Sequence, residues 1–273
     1  MTKALMTIHG FLTDTKDFGR LYDYVDFYDE VCPYKVPGHN DKVDFSLFTL
    51  ESVTTSLLQC FDSLQKKYGT VDVVGFSMGG ALATYLCAVR PVNRAVFVAP
   101  ANKFFNWTSV IAAIKFYIRY LHNHRLLRDH NNDESLGNYL ENNIVSADIA
   151  IKRTFKNVDL HTFSVFSNLM DMTNEQLETT KCVNTPSMLL WGELDEMVPK
   201  TSVEFVKNHF SNLKVEIVPD VGHAMLYTNK DNVLINKIVS FLSDGQVVPS
   251  VPFQNKIDIE KILNLNKNQE KFK

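Results

Sequence analysis

Short apolar runs alternate with longer amphipathic stretches along most of the chain. Most of the runs are continuously apolar, which is typical of strands that are covered on both faces of a sheet. They predict six strands, at residues 4–8, 31–34, 71–76, 95–99, 187–191 and 215–218. The stretches between these strands have a helical period, so the pattern predicts strands and helices in alternation.

One amphipathic stretch carries the helical pattern most clearly. Apolar residues recur every three or four positions from Leu47 to Tyr68, and Gly69 then supplies a C-terminal stop. Further helices are predicted at 81–90, 202–209 and 231–242. Strands that alternate with helices indicate an α/β fold, with a mostly parallel sheet of about six strands flanked by helices.

The segment between residues 99 and 187 interrupts this alternation, because it contains no convincing strand. A structureless loop of that length is implausible in a compact domain, so we expect a helical cap subdomain at 101–180 with its clearest helix at 106–121. The core then comprises 1–100 and 181–244. Residues 245–273 form a C-terminal tail that contains one short amphipathic pattern, at 257–265.

The composition is that of an ordinary globular protein, with 45% hydrophobic and 22% charged residues. The net charge of -3 gives no reason to expect a nucleic acid as a partner. The four cysteines are irregularly spaced without a CxxC pair, so we expect reduced thiols, no metal and no cofactor. No signal-peptide core and no run of 18 apolar residues is present, and we therefore expect a cytoplasmic protein.

The strongest chemical signal is the GxSxG sequence from Gly75 to Gly79, with Ser77 at its centre. It follows the apolar residues 71–74 and precedes a predicted helix, as expected for a sharp strand-to-helix turn that exposes a nucleophilic hydroxyl. The glycines at 75 and 79 remove side chains that would collide across the turn. The alternative is a glycine-rich turn with an incidental serine.

A serine hydroxyl needs a base to remove its proton and an acid to orient that base. His223 lies between the last predicted strand and the last helix, where the chain order Ser, Asp, His places the base. His9 and His39 lie in loops that they are expected to shape. Asp195 follows the penultimate strand and is the preferred acid, with Glu193 and Glu196 as alternatives and Asp220 as a turn former.

Together, five segments of this chain resemble the monoacylglycerol lipase and bacterial carboxylesterase branch of the α/β-hydrolases. The resemblance spans roughly residues 4–243 and rests on the segments 8–11, 37–39, 75–80, 191–195 and 222–223. It implies an α/β-hydrolase fold whose cap is inserted after the strand that follows the nucleophile helix. It also implies Ser77, Asp195 and His223 as the catalytic triad, with the backbone N–H groups of Phe11 and Met78 as oxyanion donors.

The predicted cap carries a group of aromatic residues, of which Phe104, Trp107 and Phe116 are candidate substrate-binding residues. One interpretation is an apolar acyl pocket above Ser77, with a basic exterior suited to transient contact with a membrane or lipid interface. The other is that these residues form the small core of the subdomain itself, with a solvated basic face.

The sequence thus predicts a serine hydrolase that cleaves small acyl esters, such as monoacylglycerols or short-to-medium-chain esters, through an acyl-enzyme intermediate. A lysophospholipase, thioesterase, acyltransferase, peptidase or carbon–carbon bond hydrolase could use the same residues. A non-catalytic binding protein of the same fold is the alternative from another class. The oligomeric state is not predicted.

Overall fold

The computed structural model describes residues 2–39, 43–104, 160–195, 197–223, 225–227 and 231–246. The predicted helices at 106–121 and 257–265 lie outside these ranges, as does most of the predicted cap. The boundaries proposed for the cap and the tail therefore stay predictions.

Six strands form one sheet in which every pairing is parallel. In chain order they are β1 (Lys3–Ile8), β2 (Glu30–Tyr34), β3 (Thr70–Phe76), β4 (Ala95–Val98), β5 (Ser187–Gly192) and β6 (Leu213–Val218). The order across the sheet is β2-β1-β3-β4-β5-β6. All six predicted strands are confirmed, with small shifts at their ends.

Five α-helices lie in the described ranges: α1 (Leu50–Tyr68), α2 (Met78–Val89), α3 (Leu160–Thr180), α4 (Lys200–His209) and α5 (Asp231–Leu242). The start of α1 differs from the prediction, because Leu47 lies in a short 3₁₀ turn (Phe45–Leu47) and is 56% exposed. Thr49 begins the helix with a capping box: its side chain accepts from the Ser52 N–H, and the Ser52 hydroxyl accepts from the Thr49 N–H.

The alternation of side chains along the strands divides the core into two layers. In β1, Ala4, Met6 and Ile8 face the layer that includes the apolar sides of α1, α2, α3 and α4. Leu5 faces the other layer, which is formed with α5 and with a 3₁₀ segment, Thr15–Tyr24, that the sequence pattern did not predict. The central strands are therefore covered on both faces, as their continuous apolar runs predicted.

The strand order reverses beside β1, because β2 lies on one side of it and β3 on the other. In open parallel sheets the loops at such a reversal leave a crevice at the carboxyl ends of the strands, where ligands bind. Here the two loops in question follow β1 and β3, and the second of them contains Ser77. The fold therefore places the GxSxG serine at the expected position for a ligand site.

None of the described helices is long and apolar enough to cross a membrane. Within the same ranges, no group of three or more His, Cys, Asp and Glu side chains is arranged to hold a metal ion. The four cysteines are free, and the Cys32 Sγ on β2 lies 3.6 Å from the Cys60 Sγ on α1.

Candidate active site

Ser77 occupies a strained turn between β3 and α2. Its φ of 55° and ψ of −117° are backbone angles that residues other than glycine rarely adopt. Helix α2 begins at the next residue, Met78. The Ser77 N–H donates to the Val98 carbonyl, and its carbonyl accepts from the N–H groups of Ala81 and Ala101. These backbone contacts fix the turn from three directions, and Ser77 remains partly exposed.

The two glycines of the motif are required by close backbone contacts. A Cβ on Gly75 would lie 2.1 Å from the Gly79 carbonyl oxygen, and a Cβ on Gly79 would lie 1.9 Å from the Ile8 carbonyl oxygen. Both distances are far below any real contact, so only glycine fits at either position. The absence of a side chain at Gly79 also lets the N-terminus of α2 lie directly against the end of β1.

His223 joins Ser77 to Asp195 through hydrogen bonds at its two ring nitrogens. Nδ1 lies 2.8 Å from Asp195 Oδ2, and Nε2 lies 3.0 Å from the Ser77 Oγ. A carboxylate only accepts, so the proton of the neutral ring belongs on Nδ1 and Nε2 accepts from the serine hydroxyl. The structure thus brings the three predicted residues together in the order that a base-activated serine needs.

The loop after β5 holds Asp195 in place. Asp195 Oδ1 accepts from the backbone N–H groups of Met197 and Val198, both at 2.8 Å, and Oδ2 remains directed at His223. The side chain is fully buried. Of the alternatives, Glu193 is exposed and Glu196 lies outside the described residues.

Gly192 belongs to the predicted turn before Asp195, but the sequence did not indicate which contact requires a glycine there. A Cβ at this position would lie 2.3 Å from the Val221 carbonyl oxygen and 2.7 Å from that of Gly222. The loops after β5 and β6 therefore meet closely, and the Leu194 N–H donates to the Val221 carbonyl between them. This close approach brings the Asp195 loop and the His223 loop within hydrogen-bond reach of each other.

The predicted oxyanion donors lie on neighbouring elements. Met78 is the first residue of α2, so its N–H has no acceptor within the helix and lies at the positive end of the helix dipole. Phe11 lies in the loop after β1. Since Gly79 lies against the carbonyls of Ile8 and His9, this loop and the start of α2 border the same crevice.

His9 and His39 shape the surrounding loops, as predicted. The Val36 N–H donates to His9 Nε2 at 3.1 Å, so Nδ1 carries the ring proton and donates to the Gly10 carbonyl at 2.9 Å. His39 Nδ1 lies 3.1 Å from the Pro37 carbonyl, and its ring packs against Phe48. Both histidines are buried.

A cluster of aromatic rings borders the crevice on the Phe11 side. Phe11 stacks on Phe166 with ring centroids 4.6 Å apart, and Phe163 meets Phe11 edge-on at 5.7 Å. Phe104 packs edge-on against Phe166 at 4.5 Å. Trp107 and Phe116, the other candidate substrate-binding residues, lie outside the described residues.

Phe163 and Phe166, which both belong to α3, were not identified from the sequence as residues of the site. Their three-residue spacing is a helical signal, but nothing local indicates that they meet a ring from the loop after β1, more than a hundred residues earlier. Lys103, a basic residue at the start of the predicted cap, is described, and its Nζ lies 4.2 Å from the centre of the Phe205 ring.

Comparisons with known proteins identify the family of this chain. A family model described as "Alpha/beta hydrolase family" matches residues 6–234. The chain is 26% identical over 229 residues to the Mycoplasma genitalium protein named "Putative esterase/lipase 2", a match that covers 80% of this chain and 81% of the relative.

Two solved structures show the same fold. The monoacylglycerol lipase of Paleococcus ferrophilus has a TM-score of 0.61 at 16% identity and covers 89% of this chain and 95% of its own. The enol-lactonase of Burkholderia xenovorans has a TM-score of 0.60 at 16% identity, with 89% and 92% covered. At this identity the structural likeness establishes the fold alone. The family model spans most of the sequence, and the fold agrees with that of the two solved structures. The chain therefore belongs to the alpha/beta hydrolase family.

Proposed function

We propose that this protein hydrolyses carboxylic esters through an acyl-enzyme intermediate, with Ser77 as nucleophile, His223 as general base and Asp195 as the residue that orients the base. The observation that carries the proposal is the continuous hydrogen-bonded path from the Ser77 hydroxyl through the imidazole to a buried carboxylate. The esterase/lipase name of the Mycoplasma relative supports the same class of reaction.

In the first step the Ser77 Oγ forms a bond to the ester carbonyl carbon while its proton passes to His223 Nε2. The carbonyl oxygen becomes an oxyanion, which the N–H groups of Phe11 and Met78 stabilise. Asp195 stabilises the imidazolium through Nδ1 and keeps the ring in its productive orientation. The tetrahedral intermediate then breaks the bond to the leaving oxygen, which takes the proton from Nε2.

In the second step a water molecule attacks the acyl-enzyme. His223 accepts the water proton at Nε2, the same donors hold the second oxyanion, and Ser77 leaves with the proton returned by the imidazole. The products are the carboxylic acid and the free serine. One set of residues therefore serves both halves of the reaction.

The substrates that suit this site are uncharged acyl esters, such as monoacylglycerols or short-to-medium-chain esters. The support is the aromatic cluster around Phe11, in which Phe163 is 46% exposed although it packs against Phe11. An apolar surface of this kind favours an acyl chain, since each buried methylene contributes about 0.8 kcal/mol of transfer free energy.

The proposal is tested with a panel of p-nitrophenyl esters of increasing acyl length, together with labelling by a fluorophosphonate probe. Wild-type protein is expected to be labelled at Ser77 and to turn over at least one ester of the panel. Ser77→Ala should lose labelling and about 10⁵–10⁶-fold of turnover, with circular dichroism and melting temperature unchanged.

Two outcomes would contradict the proposal. One is a folded Ser77→Ala variant that keeps more than about a tenth of wild-type turnover. The other is a wild-type protein that neither reacts with the probe nor hydrolyses any ester, which would favour the non-catalytic binding protein instead.

A further inference from the structure

Asp17 is a buried carboxylate that the proposed mechanism does not use. It is 2% exposed and lies in the 3₁₀ segment Thr15–Tyr24, which follows the loop after β1. Its Oδ2 accepts from the Gly10 N–H at 2.8 Å and also from the Thr13 hydroxyl. Burying a carboxylate is costly unless it is hydrogen-bonded, so these contacts bind the loop strongly to the segment.

The segment that carries Asp17 is itself fixed to the core. Its neighbour Phe18 is 1% exposed and Leu21 is fully buried, both in the layer formed with α5. The segment that carries Asp17 is therefore anchored in the core, and the hydrogen bond to Asp17 ties the Gly10 N–H to this segment. The space around Gly10 is also tight, because a Cβ there would lie 3.1 Å from Thr13 Oγ1 and 3.2 Å from the Phe76 ring.

Gly10 is held at its carbonyl as well, where His9 Nδ1 donates at 2.9 Å. The Gly10 carbonyl and the Phe11 N–H belong to one planar trans peptide unit, so they point in opposite directions. Fixing both ends of Gly10 thus fixes the direction of the Phe11 N–H. With the Gly10 N–H committed to Asp17, the next amide of the loop, that of Phe11, is the expected oxyanion donor.

We propose that Asp17 is a positioning residue for the ester hydrolysis proposed above: its carboxylate holds the Gly10 N–H and so aims the Phe11 N–H at the carbonyl oxygen of the substrate. The inference rests on the proposed function and adds a residue that touches neither the substrate nor the triad. The competing explanation is that Asp17 serves folding alone.

The test compares Asp17→Ala, which removes the acceptor, with Asp17→Asn, which keeps one acceptor oxygen. Asp23→Asn is the matched control, because Asp23 is an exposed acid of the same 3₁₀ segment. Four quantities are measured: kcat and KM for a short-chain p-nitrophenyl ester, with active sites counted by complete fluorophosphonate reaction; the inhibition constant of a trifluoromethyl ketone; the melting temperature; and hydrogen exchange of the Gly10 amide.

Loss of one oxyanion donor lowers kcat by about 10²–10³-fold, so a displaced donor in Asp17→Ala should lower it by roughly 10–100-fold. KM should change by less than about twofold, because the oxyanion exists only after the nucleophile attacks. The trifluoromethyl ketone forms a tetrahedral adduct, so its inhibition constant should rise by a factor similar to the loss in kcat. Asp17→Asn should lie between Asp17→Ala and wild type, and Asp23→Asn should equal wild type.

The Gly10 amide should exchange faster in Asp17→Ala than in wild type, whether or not the substrate has been identified. Three outcomes overturn the inference: unchanged Gly10 exchange, unchanged kcat per active site despite faster exchange, or a lower melting temperature as the sole effect. If Asp17→Ala does not fold, Asp17→Asn is decisive by the same readouts. A wild type as inactive as Ser77→Ala would mean that the proposed function itself has failed and the positioning role with it, whereas an active wild type with an unaffected Asp17→Ala overturns the positioning role alone.

Discussion

Asp195 accepts hydrogen bonds at both carboxylate oxygens, and the two oxygens have different tasks. Oδ1 is held by the N–H groups of Met197 and Val198, while Oδ2 is left for His223. Two backbone donors on one oxygen fix the plane of the carboxylate, so Oδ2 meets Nδ1 without further adjustment. At the scale of one residue, the geometry distinguishes Asp195 from the neighbouring acid Glu193, which is exposed.

We expect Asp195→Asn to lower kcat by about 10⁴-fold, because an amide does not stabilise the imidazolium and favours the wrong tautomer. Glu193→Gln is the matched control and should leave kcat within about twofold of wild type. Steady-state kinetics on the best ester of the panel measure both. Greater damage from Glu193→Gln than from Asp195→Asn would show that the orienting acid has been assigned wrongly.

At the scale of elements, the turn between β3 and α2 depends on how closely backbones approach one another. Gly79 has an ordinary φ, so its role is purely steric: its position against the Ile8 carbonyl leaves no space for a methyl group. Gly69, at the end of α1, is the opposite case, with a φ of 74° and no atom within 4 Å of the place that a Cβ would occupy. The two glycines separate the effect of crowding from that of backbone conformation.

Gly79→Ala should therefore destabilise the protein more than Gly69→Ala. Alanine at 69 costs about 1–2 kcal/mol for its left-handed conformation, whereas alanine at 79 forces β1 and α2 apart and adds an overpacking cost of roughly 1–3 kcal/mol or more. Gly79→Ala should also lose activity, because the displaced elements carry Met78 and the loop of Phe11. Chemical denaturation and ester hydrolysis check the two effects. A Gly79→Ala variant that is as stable as Gly69→Ala and fully active would contradict this account of the turn.

At the scale of the whole molecule, the two ends of the parallel strands differ: the candidate site lies at the carboxyl ends, and a buried structural acid lies near the opposite end. Ser77 and the loops of Asp195 and His223 follow the carboxyl ends of their strands, whereas Asp72 lies near the start of β3 and is 1% exposed. Asp72 accepts from the Tyr28 hydroxyl at 2.6 Å and from Asn93 Nδ2 at 2.7 Å. Burial raises the pKa of its carboxyl above the usual value.

A raised pKa in the folded state means that Asp72 favours folding when protonated. Its contribution is fully present below the ordinary aspartate pKa of about 3.9 and is lost as the pH rises through the raised value. The melting temperature of wild type should therefore fall relative to that of Asp72→Asn between about pH 4 and pH 7. Other carboxylates titrate in both proteins and cancel in the difference, and any packing defect of the amide is independent of pH.

Asp244→Asn provides a control of opposite sign, since the hydrogen bond from Arg94 lowers the pKa of Asp244. Wild type should gain on this variant, by a small amount, as the pH rises. Calorimetry at several pH values measures both differences. A wild type that gains stability relative to Asp72→Asn over the same range would show that the hydrogen bonds to Asp72 outweigh its burial.

The fold and much of the candidate site could be predicted from the sequence because their signals are local. A strand covered on both faces must be continuously apolar, and this requirement revealed the central strands, whereas β2 and β6 at the edges of the sheet are only partly buried. The sharp turn at Ser77 needs small residues on both sides, which made the GxSxG pattern visible. The chain order of Ser77, Asp195 and His223 then followed from the order of the loops that end the strands.

The tertiary structure alone decided which distant groups meet. Asp17 is seven residues from Gly10, with no pattern to mark their contact, and the rings of Phe163 and Phe166 reach Phe11 from a helix much later in the chain. The start of α1 was likewise decided by the Thr49 capping box against an apolar period that continued back to Leu47. A local pattern records what each segment must bury or how it must turn, whereas a contact between segments depends on the relative placement of elements, which packing of the whole core determines.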